Sequence, residues 1–104
     1  MSRPFSYNDK NFTVIGNILF CHIEINRILQ SNDIIVEIPP AIYNRIIQES
    51  IVGNLVRQLG TNNFDSYMLN AYIYKEGNKY YIKTTNGTGG TSFIFLAYMV
   101  LKDI

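Results

Sequence analysis

The stretch "KEGNKYYIKTTNGTGGTSFIFLAYMVL", residues 75–101, decides how this chain folds. Its first four residues contain Gly77, which is free to take the positive φ of a tight hairpin turn. "KYYIKTT" (79–85) returns from that turn as a strand, and the glycine-rich "NGTGG" (86–90) leads into a closing strand. Successive side chains of a strand point to opposite faces. Phe93, Phe95, Ala97, Met99 and Leu101 therefore form one face of the closing strand, and Ile94, Leu96, Tyr98 and Val100 the other. Both faces are apolar, yet a two-layer sandwich buries only one face of each sheet. Either the strand is covered twice within its own chain, or one face meets another molecule.

Upstream, "SYMLNAYIY" (66–74) sets Tyr67, Leu69, Ala71 and Ile73 against Met68, Asn70, Tyr72 and Tyr74, again with period two. In "FTVIGNILFCHIEI" (12–25), Leu19, Cys21, Ile23 and Ile25 share a face opposite His22 and Glu24, and Gly16 reads as a bulge or kink. "SND" (31–33) is a turn, and "IIVEI" (34–38) is a short strand stopped by Pro39 and Pro40. Ile42, Ile46 and Ile47 have helical spacing, and Pro40 suits a first helical turn, so a short helix is expected near residues 40–47. A strand near 51–58 and a loop at "TNNFD" (61–65) follow. Residues 1–11 are polar and read as an N-terminal arm, leaving 12–104 as the domain. The expected fold is all-β: a single-domain antiparallel β-sandwich, jelly-roll-like, with at most that one helix.

Composition narrows the function classes. A chain of 104 residues has room for one core, and only 16% of it is charged against 47% hydrophobic. Little of its surface is then reserved for water. A net charge of +1 without basic runs argues against nucleic acid as partner. No apolar stretch approaches the ~18–20 residues that span a bilayer, so no membrane is expected. "MSRPFSYNDK" lacks the apolar segment of a signal peptide.

The chemistry-bearing residues are sparse. His22 and Glu24 lie two apart on one strand face, but without a second histidine or an acidic cluster they read as a surface pair. Cys21 is the only cysteine and reads as a small buried hydrophobe. "NGTGG" precedes a strand and lacks a following Lys-Ser/Thr, so it reads as a hairpin loop and not a phosphate cradle. No catalytic residue, metal site or cofactor is expected, and the chain reads as a non-enzyme.

"NDIIVEIPPAIYNRI" (32–46) resembles a segment of the small β-sandwich modules of bacteriophage fibres, with a polar turn, a short strand, proline, an aromatic residue and arginine. The order of strands, turns and glycine-rich loop across residues 12–101 follows the same pattern. "RPFSYNDKNFTVIGNILFCHI" (3–23) and "EIPPAIYNRI" (37–46) are similar to the small head-fibre proteins of crAss-like phages. One departure is that residues 41–50 read as helical where those modules carry a strand. The resemblance implies a virion structural protein, assembled in the host cytoplasm as a homo-oligomer, a trimer before a dimer, and docked on other virion proteins of the capsid or fibre. A receptor- or glycan-binding module of a tail fibre is the alternative. The expected oligomer interface is Ile94, Leu96, Tyr98 and Val100 with Tyr72 and Tyr74, and the expected docking arm carries Arg3, Pro4, Phe5 and Tyr7.

Overall fold

Two Gly-Asn pairs set the hairpins. The computed structural model describes residues 6–88 and 92–103, with backbone alone at 58–60. Gly16 (φ 62°) and Asn17 connect β2 (Phe12–Ile15) to β3 (Ile18–Ile25), and Gly77 (φ 60°) and Asn78 connect β6 (Asn63–Glu76) to β7 (Lys79–Thr84). A positive φ at the first central residue is the geometry whose twist matches that of the flanking strands. Gly16 thus makes a turn between two strands and not the expected bulge within one. Asn62 (φ 58°) turns β5 (Ser50–Gly60) into β6. The remaining strands are β1 (Ser6–Asn8), β4 (Ile34–Glu37) and β8 (Phe93–Val100).

The eight strands of the described residues belong to one antiparallel sheet in the order β1-β2-β3-β8-β5-β6-β7-β4, curled into a half-barrel. The expected sandwich has two separately paired sheets. Here one curved layer wraps its core because β8 bridges the early and late strands, pairing with both β3 and β5. Residues 1–11 were expected to form no element, yet Ser6–Asn8 pair with Thr13–Ile15. Asp9 makes this possible: its Oδ1 accepts the amides of Asn11 (2.8 Å) and Phe12 (2.7 Å), closing the turn between β1 and β2. Burial opposes ionisation of Asp9, but those amides, the Tyr7 hydroxyl and Lys10 outweigh it and hold the carboxyl below its usual range. Arg3, Pro4 and Phe5 lie outside the described residues. The "TNNFD" segment is largely strand, since β6 begins at Asn63.

Leu19, Cys21, Ile23 and Ile25 of β3, Leu55 of β5, Leu69 of β6, Ile82 of β7 and Phe95 and Met99 of β8 fill the concave side. The expected helix is a 3-10 helix, Pro40–Arg45, entered through Pro39 and left at Ile46 with extended backbone. It lays Ile42 onto the core. Its last residue, Arg45, is buried: Nε donates to the Lys102 carbonyl (2.9 Å) and Nη2 to the Gly16 carbonyl (3.3 Å). One side chain therefore ties the helix, the β2–β3 turn and the end of the chain after β8 together.

Gly53 is a close approach. A Cβ there would stand 2.4 Å from the Phe95 ring and 2.8 Å from the Leu96 carbonyl oxygen. Because the Phe95 ring is fully buried it has no free space to yield. Gly53→Ala is expected to destabilise the fold by about 1–3 kcal/mol, read as a lower urea midpoint at unchanged slope. Arg45→Ala removes the charge-assisted bonds of a buried guanidinium to two backbone carbonyls and is expected to cost about 2–3 kcal/mol in the same measurement.

Candidate functional site: the convex face of the central strands

Register decides which outward side chains become neighbours. His22 pairs with Leu96, Leu96 with Asn54, and Asn54 with Met68, so these four form one row across β3, β8, β5 and β6. The next row toward the β2–β3 turn has Phe20 opposite Tyr98, followed by Ile18 opposite Val100. In the other direction Glu24 is opposite Ile94, and Ile94 opposite Val56. The closing strand thus divides cleanly: Phe93, Phe95 and Met99 are buried, whereas Leu96, Tyr98 and Val100 are 40%, 66% and 37% exposed. Ile94 is half-buried. Phe20, Val52 and Met68 extend the apolar area over the neighbouring strands at 45%, 52% and 67% exposure.

This band is an apolar feature, continuous across neighbouring strands, that the described residues leave uncovered. Taking roughly 150–200 Å² for a fully exposed large side chain, the exposed portions amount to several hundred Å². A shallow cleft of about 390 Å³ lies within it, flanked by Phe20 and Tyr98, with His22, Asn54 and Leu96 along it. Sequence reasoning found the β8 half of the band and the outward set of residues 66–74 that holds Met68, but not Phe20 or Val52. Their alternation was visible, but their adjacency to β8 depends on strand order, which alternation does not encode.

Tyr72 and Tyr74 are placed differently from the expectation that groups them with the β8 residues. The Tyr72 hydroxyl donates to Asn32 Oδ1 (3.0 Å), and the Lys83 ammonium sits 3.8 Å from the centre of the Tyr74 ring. Both are half-buried and occupied within their own chain. Tyr7 is half-buried against the core, and its hydroxyl donates to Asp9 Oδ2 (2.9 Å).

The polar candidates gather little around them. His22 and Glu24 border a second cleft, also about 390 Å³, with Lys10, Asn11 and Asn26 on its rim and Ile35 beneath. Among the described residues no group of three or more His, Cys, Asp or Glu is placed to hold a metal ion. Of the glycine-rich loop, Thr88 is fastened to the chain after β3: its N–H donates to the Leu29 carbonyl (2.7 Å) and its hydroxyl accepts from the Leu29 amide (2.9 Å). Gly87 passes so close to Leu29 that a Cβ would lie 2.8 Å from that carbonyl. Those contacts use the loop for packing. No family model matches the chain, and neither the curated proteins nor the solved structures contain a match.

Cys21 lies on the concave face, and burial pushes its thiol up to about 12. At pH 8 it is protonated and shielded, and reactivity needs the thiolate. A chromogenic disulfide reagent is expected to leave the folded protein unmodified at pH 8 and to titrate one thiol per chain once denaturant is added.

Proposed function

We propose that this chain is a non-enzymatic structural protein of a bacteriophage virion, assembling as a homo-oligomer, a trimer before a dimer, into a head fibre or capsid decoration. The observation that carries the reading is the apolar convex band of Phe20, Leu96, Tyr98, Val100, Val52 and Met68. Leaving such side chains in water forgoes roughly 25 cal/mol per Å², and large uncovered patches of this kind mark contact surfaces. Tyr98 and Phe20 supply broad aromatic area, the residue class enriched where proteins meet. In this reading the chain works without a cofactor, is assembled in the host cytoplasm, and docks on other virion proteins. The curled sheet is then the counterpart of a jelly-roll-like sandwich, its two ends opposed across one core.

A second reading has one observation in its favour. Phe20 and Tyr98 flank a cleft that also holds His22 and Asn54, an apolar platform with hydrogen-bonding groups beside it. A receptor- or glycan-binding module of a tail fibre would use such a site. Glycan-array binding by a monomer would favour this second reading over assembly.

Substitutions on the two faces of β8 test the first reading. Phe95→Asp places an unpaired charge in the core and is expected to abolish folding, because the cost rivals the stability of a small domain. Leu96→Asp is expected to keep the strand-rich circular dichroism spectrum while light scattering shows a smaller species. A wild-type protein that is monomeric at micromolar concentration would count against assembly through this face.

A further inference from the structure

A sheet edge exposes a row of amide and carbonyl groups, and stable proteins shorten, charge or cover their edges. Three edges of this sheet are managed in that way. The outer edge of β1 is three residues long. At β4 the Arg27 guanidinium donates to the Ile34 carbonyl, and the Lys79 ammonium reaches Glu37 at 3.7 Å. Where β3 runs past the end of β2, Lys10 and Glu24 flank the opening.

The β5–β6 hairpin is different. Its strands are 11 and 14 residues long, and β7 accompanies β6 only as far as the Ala71–Thr84 pair. One more bond follows, from the Thr85 N–H to the Asn70 carbonyl (2.9 Å). Among the described residues, nothing but β5 pairs with residues 63–69. The Thr85 bond fixes which backbone groups face outward. Because the Asn70 carbonyl points away from β5, strand alternation turns the N–H and C=O of Phe64, Ser66 and Met68 the same way. The stretch has neither lysine nor proline. Its only charge, Asp65, is held by Arg57 at 2.7 Å. Phe64 and Met68 are 62% and 67% exposed beside that open edge.

We propose that residues 63–69 of β6 pair with the same edge of a second copy, antiparallel, about a two-fold axis at Ser66. An edge that pairs antiparallel with itself is self-complementary, the requirement for a closed two-fold contact. With Ser66 opposite Ser66, Phe64 falls opposite Met68 in both directions. The three residues whose backbone groups point outward become the hydrogen-bonded pairs, and Phe64 and Met68, the most exposed large side chains of the edge, gain sulfur–aromatic contact. Two sheets join into one continuous sheet. The contact is small, below about 1,200 Å² in total, and belongs to the weaker class of interfaces. It runs along the β6 edge and shares only Met68 with the convex band, so it does not rest on the assembly reading above.

Ser66→Cys tests the register directly. Paired residues of this type lie about 5.5 Å apart between Cα atoms, within the span a disulfide closes. Under mild oxidation at tens of micromolar, Ser66→Cys is expected to form a covalent dimer at least tenfold faster than Asn78→Cys, which sits in the exposed β6–β7 turn. Ser66→Pro removes an outward donor but no bond to β5, a position where an edge strand accepts proline. It is expected to keep the strand spectrum and lose this dimer by light scattering. Leu96→Lys is expected to leave the Ser66→Cys cross-link rate unchanged. Cross-linking of Ser66→Cys no faster than that of Asn78→Cys overturns the proposal, whether or not Ser66→Pro folds. Oligomers that persist in Ser66→Pro without that cross-link overturn it too, and leave assembly through the convex face standing.

Discussion

The seam between β8 and β5 holds the molecule together. It consists of the pairs Gly53–Ala97, Asn54–Leu96, Leu55–Phe95 and Val56–Ile94, and it alone joins β1, β2, β3 and β8 to β5, β6, β7 and β4 within the sheet. Gly53, lacking a Cβ, lets the Phe95 ring approach the backbone of the neighbouring strand. That ring then reaches the middle of the core from the middle of the sheet. Curvature follows, because the buried side chains on both sides of the seam converge on one concave surface. Among the described residues, the convex side gains no such cover.

Much of this was legible because strands and tight turns are local. Alternation in residues 66–74 and 93–101 located β6 and β8, and Gly77 located the β6–β7 hairpin, whereas Gly16 reads from sequence as a bulge or kink and in the fold opens the β2–β3 turn. Pro39 and Pro40 marked the end of β4 and the entry to the 3-10 helix. Pairing was less legible because it is not local. β8 takes β3 and β5 as neighbours across long intervals of chain, and those two partners decide between one curled sheet and two flat layers. The polar composition of residues 61–65 suggested a loop, whereas pairing with β5 extends β6 back to Asn63 and leaves only residues 61–62 as the turn. Asp9 likewise converted a polar arm into an edge strand by accepting two amides that composition does not reveal.

The same division runs through the candidate site. The inward and outward sets of β8 follow from parity alone. Their neighbours Phe20, Val52 and Met68 follow from register, and Tyr72 and Tyr74 are withdrawn by partners, Asn32 and Lys83, that no spacing rule connects to them. Parity tells which way a side chain points, while its company depends on contacts between distant segments.

Arg45 gives the fold a cooperative unit that strand boundaries do not show. Its side chain bonds the Gly16 and Lys102 carbonyls, its own carbonyl accepts the Lys102 amide (2.7 Å), and the Leu101 amide bonds Asn17 beside it (2.7 Å). The first hairpin and the end of β8 therefore cannot fray independently, since opening either breaks bonds that the other shares. Hydrogen exchange at the Leu101 and Lys102 amides is then governed by one common opening event that spans both ends of the sequence.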